Sequence, residues 1–75
     1  MERRMKVFPI CETKDMAMEK VALFVHSPVF EKADGEVIKI DCFTVDMGWE
    51  DGYRGCLIFS YNPSNLTKEE LLLLA

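Results

Sequence analysis

The spacing of apolar positions changes along this chain, and each change marks an element. Residues 5–11, MKVFPIC, read as a short extended segment, and Pro9 confines it to a sheet edge because proline donates no ladder hydrogen bond. Residues 13–26 follow the helical period. At about 100° per residue Ala17, Met18, Val21, Ala22, Phe24 and Val25 share one arc, while Asp15, Glu19, Lys20 and His26 share the other. Met16 and Leu23 fall on the polar side. Thr13 is placed to cap the helix, and Ser27-Pro28 to end it, since the residue before proline avoids the α region.

Beyond the helix the pattern is β-like. Strands are expected at about 28–33 and 36–47, joined by Asp34-Gly35, a pair that tolerates the positive φ angles of a type I′ hairpin turn. Gly48 to Gly52 read as a second turn, and the aromatic and β-branched run Tyr53 to Tyr61 as a further strand. Asn62 to Asn65 break the pattern. Thr67 and Glu70 then stand at capping-box spacing, with Leu66 and Leu71 at the spacing of a hydrophobic staple, so a C-terminal helix runs through the leucines. Four consecutive leucines cannot all face one side, which predicts that some of them meet a neighbour.

The predicted fold is one α+β domain over residues 1–75, in the order β-α-β-β-β-α. It consists of a three-stranded antiparallel meander with a short N-terminal edge strand and two helices packed on one face. A chain of 75 residues buries only about 60% of the surface its unfolded form exposes, which limits its stability. Scaling by length gives roughly 4 to 11 kcal/mol, of which a second subunit can supply a large share.

Composition narrows the setting. Apolar residues make up 49% and charged residues 29%, ordinary values for a folded domain. The stretch from Val7 to Cys11 is too short for the apolar region of a signal peptide, and no apolar run approaches the about 18 residues a membrane span requires. Three widely spaced cysteines do not make the even set of a secreted scaffold, so a cytoplasmic location is expected.

Charge is uneven, and this bears on function. The net charge is −4, but Glu31, Asp34, Glu36, Asp41, Asp46, Glu50 and Asp51 outnumber Lys32 and Lys39 by five within residues 31–51. Binding nucleic acid requires cations that displace phosphate counterions, so direct contact with nucleic acid is not expected. A partner protein with a basic surface fits better.

Candidate chemistry is sparse. Cys11, His26, Cys42 and Cys56 have the ligand types of a zinc site but not its close pairing, and no cofactor is expected. A thiol activated by His26, with Cys11 or Cys42 as the nucleophile, is the main enzymatic alternative, its pocket lying at a subunit interface. Asp46, Glu50 and Asp51 lack the alternating ligand spacing of a calcium loop.

Those three acids flank Trp49 and Tyr53, and aromatic side chains bordered by charge are ingredients of protein-binding hot spots. The five residues are therefore the candidate partner-binding set. A second surface is expected on the sheet. If the helices cover the side bearing Ile38, Ile40, Leu57 and Phe59, then Val37, Phe43, Val45, Cys56 and Ile58 occupy the other. At about 25 cal/mol per Å² an apolar patch of about 400 Å² disfavours exposure by about 10 kcal/mol, which assigns Val37, Phe43, Val45 and Ile58 to an oligomer interface, most simply a homodimer. The function expected from these features is that of a small, acidic, non-enzymatic interaction domain, an inhibitor or regulator. The third reading is a structural subunit of a larger assembly.

Overall fold

Hydrogen-bonding side chains at the ends of the helices fix where they start and stop. In the computed structural model, which describes all 75 residues, helix α1 spans Lys14–Val25. The Thr13 hydroxyl accepts the amide of Met16 at 3.1 Å, as the sequence predicts. At the far end Ser27 has two roles. Its hydroxyl donates to the Phe24 carbonyl at 2.6 Å and accepts from the Phe30 amide at 3.4 Å, so it ends α1 and caps a second helix, α2, Pro28–Lys32.

Residues 28–33, expected as a strand, are therefore helical. Pro28 occupies the first helical position, where its missing N–H is no loss and its fixed φ is already helical. Asp34-Gly35 forms the helix C-cap in place of the expected hairpin turn. Asp34 has φ 52°, its amide bonds to the Glu31 carbonyl at 3.0 Å, and the Gly35 amide bonds to the Phe30 carbonyl at 2.9 Å. This pair of bonds is the Schellman closure.

The α+β class and the three-stranded antiparallel sheet with helices packed against it stand as predicted. The strands are β1, Glu2–Val7; β2, Glu36–Asp46; and β3, Asp51–Tyr61, in the spatial order β1-β3-β2. β1 begins nearer the N-terminus than expected and stops before Pro9, while Cys11 makes a separate bridge to Tyr53. A short 3-10 turn, Pro63–Asn65, leads to the last helix, α3, Lys68–Leu72, whose Thr67–Glu70 capping box is complete.

Directly opposed residues of a sheet share a face, so the register assigns the two sides. Leu57, Phe59 and Tyr61 of β3 are buried beneath the helices with Val21, Phe30 and Leu74. Phe24, half-buried, packs against this core, its ring centroid 5.8 Å from Phe8 and 5.6 Å from both Phe30 and Phe59. Lys6 closes the side, its ammonium 5.0 Å from the Phe24 ring centroid while it donates to the Ala75 carbonyl. Among the leucines, Leu74 is fully buried, whereas Leu72 and Leu73 are exposed.

The opposite face carries no helix. Phe43 opposes Arg54, Asp41 opposes Cys56, and Met5 opposes Ile58, so Phe43, Val45, Cys56 and Ile58 lie on it together, as expected. Val37 does not join them. A register shift between Val37 and Lys39 sets Val37 opposite Phe59, on the helix side, because the bulge adds a residue and so exchanges faces beyond it.

Candidate functional site

The candidate site is the tip of the β2–β3 hairpin. β3 packs under α1 as far as Gly55, where an added Cβ would touch Val21 and Ala17. Further along, Gly52 is packed by Ile10 and Met47, and residues 48–51 project beyond these contacts as exposed positions.

The turn is tighter than the expected Gly48 to Gly52. The Met47 amide bonds to the Glu50 carbonyl at 3.0 Å, leaving Gly48 and Trp49 as the loop. Gly48 has φ 93°, a conformation that glycine adopts at little cost. Asp46 supports the turn, its Oδ1 accepting the Gly48 amide at 2.8 Å. In this geometry Trp49 is 79% exposed, the highest value among the large hydrophobic residues. Its indole N–H donates to Glu50 at 3.3 Å, so the ring is oriented by one of the carboxylates it accompanies.

Asp46 stands directly across the ladder from Asp51, with Glu50 adjacent in sequence. Like charges in opposed positions destabilise a sheet. No cation relieves this pair. The two salt bridges of the molecule join Lys32 to Glu70 and Lys39 to Asp41, both away from the tip, so Asp46, Glu50 and Asp51 are all uncompensated. Of the predicted partner-binding residues, the three acids and Trp49 are therefore brought together in solvent. Tyr53 is set back: it is half-buried, and both of its backbone hydrogen bonds on one side go to Cys11.

Within one chain Cys11 and His26 are not neighbours. They flank opposite ends of α1, a helix of twelve residues and about 18 Å long at the helical rise. Cys42 stands opposite Gly55, whose neighbours on the helix are Ala17 and Val21, several residues before His26. No three His, Cys, Asp or Glu side chains converge as metal ligands. The larger of two surface concavities, about 490 Å³, is lined by Phe24, Pro28, Val29 and Leu73 with the Lys32–Glu70 ion pair at its rim. Ser27 also lines it, with its hydroxyl donating to the Phe24 carbonyl.

Sequence reasoning did not single out Arg54. It lies beside Phe43 on the helix-free face, with a buried Nε that has no hydrogen-bond partner. A lone arginine in an apolar strand is the only sequence signal for it. Compared with known proteins, the chain matches no family model, no curated protein and no solved structure. No helix is long and apolar enough to cross a membrane.

Proposed function

We propose that this chain is a non-enzymatic interaction protein whose acidic hairpin tip docks on the basic surface of a protein partner, acting as an inhibitor or regulator of it. The supporting observation is the opposed, unpaired Asp46 and Asp51 beside an exposed indole. Two like charges across one ladder position cost the sheet stability. Such an arrangement is worth keeping where a cationic partner neutralises the acids and a pocket takes the ring, since Trp is among the residues enriched at hot spots. Opposite charge also accelerates encounter and makes binding depend on salt. The three free cysteines support a reducing, cytoplasmic setting.

The test is affinity capture from the native cell on immobilised protein, comparing wild type with Trp49→Ala and with the triple variant Asp46→Asn, Glu50→Gln, Asp51→Asn. Basic proteins retained by wild type, released by added salt and lost with both variants are the expected outcome. Retention that is indifferent to salt and to all four substitutions would exclude the tip as the docking element.

A further inference from the structure

The outer edge of β2 is a template for another strand, and the hydrogen-bond pattern says which residues face outward. Tyr53 bonds Cys11 through both its carbonyl, at 2.7 Å, and its amide, at 2.8 Å, and the Gly55 carbonyl accepts from Phe8 at 3.0 Å. Tyr53 and Gly55 thus point toward the β1 side, and their β2 neighbours, Thr44 and Cys42, belong to non-hydrogen-bonded pairs. By the alternation of an antiparallel ladder, Ile40, Cys42, Thr44 and Asp46 direct N–H and C=O away from β3. The Met47–Glu50 bond that closes the hairpin is in phase with this pattern. The ladder is also unbroken from Lys39 to Asp46, clear of the bulge.

Edge strands are usually protected from pairing by cations, short length, proline or a cover. β1 is protected in this way: it has six residues, among them Arg3, Arg4 and Lys6. β2 is not. It has eleven residues, no proline, and exposed Ile38, Ile40 and Phe43, with Phe43 at 52%. Its one lysine, Lys39, is already held by Asp41 at 3.4 Å.

We infer that β2 pairs antiparallel with β2 of a second copy of this chain, about a two-fold axis centred on Phe43, giving a continuous sheet in the order β1-β3-β2-β2-β3-β1. The register follows from the outward groups. An axis at Asp41 would oppose two aspartates about 4.5 Å apart in a non-hydrogen-bonded pair. An axis at Cys42 leaves Asp46 without a regular partner, since it would face Ile38 in the bulge. Centred on Phe43, Ile40 pairs with the partner's Asp46 and Cys42 with the partner's Thr44, so every outward residue of the regular stretch is bonded. Phe43 meets the partner's Phe43 in the closer type of pair, where an aromatic couple adds stability.

The pairing is self-limiting, because it uses the same edge of both copies and leaves only the cationic β1 edges outside. The seam is about 24 Å long at the strand rise. It sits at the low end of specific interfaces, on the order of 1,000 Å² in total, so the dimer is expected to dissociate on dilution through the micromolar range. The two hairpin turns then point in opposite directions, about 34 Å apart, with Trp49, Glu50 and Asp51 outside the seam and Asp46 at its end. The pairing does not depend on what the tips bind.

Sedimentation velocity from low micromolar to several hundred micromolar protein tests the inference. Wild type is expected to pass from monomer to dimer and stop there. Thr44→Pro deletes an outward N–H without touching the β2–β3 ladder, and is expected to be a monomer throughout with wild-type circular dichroism. A wild type that stays monomeric at the highest concentration overturns the inference. So does a folded Thr44→Pro that still dimerises, or a mass that grows without limit, the mark of head-to-tail pairing. If Thr44→Pro does not fold, Phe43→Cys in a Cys42→Ser background decides. The axial residues lie about 4.5 Å apart, within disulfide reach, so mild oxidation is expected to link two chains, and failure to link them contradicts the register.

Discussion

Val21 leaves no room for a side chain at Gly55: a Cβ there would lie 2.6 Å from Val21 Cγ2 and 3.3 Å from the Ala17 carbonyl oxygen. The glycine lets α1 lie directly on the central strand. Val21 is fully buried and the Ala17 oxygen is backbone, so neither yields cheaply. Gly55→Ala is expected to lower stability by about 1–3 kcal/mol, the usual cost of overpacking. Urea unfolding checks this, with a fall in midpoint at unchanged slope as the expected result.

Glu70 links α3 to α2. Its two carboxylate oxygens receive Lys32 Nζ at 2.8 and 2.9 Å, and Oε1 also accepts the Thr67 amide at 3.0 Å. The lysine hydrogen bond, followed by that of the Thr67 backbone, holds the carboxyl below its ordinary value of 4.5. A lowered folded pKa means that this contribution to stability is complete above the ordinary glutamate value and is lost as pH falls through the lowered one. Glu70→Gln is therefore expected to lower stability at neutral pH and to change it least in acid, which flattens the acid limb of the profile. Thr67→Ala removes the cap itself and is expected to cost about 1 kcal/mol at every pH. Thermal melts in a pH series distinguish the two.

Local chemistry made most of this fold legible in advance, and the exceptions share a cause. Thr13, Thr67 and Glu70 act through bonds spanning three residues, so their positions alone located both helix starts. Ser27-Pro28 and Asp34-Gly35 were recognisable as signals but not as to use. A serine before a proline stops one helix and starts another equally well, and a positive φ serves a hairpin or a helix cap. Which applies depends on Phe30 entering the core against Phe24 and Phe59, a contact distant in sequence. The tip acids were legible because a tight turn brings neighbours in sequence together in space. The setback of Tyr53 was not, since it depends on Cys11, and the bulge that moves Val37 to the other face leaves no sequence signal.

The opposition of Asp46 and Asp51 implies a trade between stability and binding. Asp51→Asn relieves the repulsion and leaves the Asp46–Gly48 bond intact, so it is expected to stabilise the protein by roughly 0.2–1 kcal/mol. The gain should shrink in high salt, which screens the same repulsion. Denaturant melts at low and high ionic strength measure both effects.

The exposed indole at the hairpin tip stands among carboxylates that no salt bridge neutralises, and Trp49 is the only tryptophan in the chain. Its fluorescence therefore reports on the tip alone. Quenching by caesium and by iodide, each normalised to free N-acetyltryptophanamide at low ionic strength, tests this arrangement most directly. The structure predicts quenching by the cation in excess of that by the anion, with the difference removed by Asp46→Asn, Glu50→Gln and Asp51→Asn together. Equal quenching by both ions, or a blue-shifted emission that neither ion reaches, would contradict it.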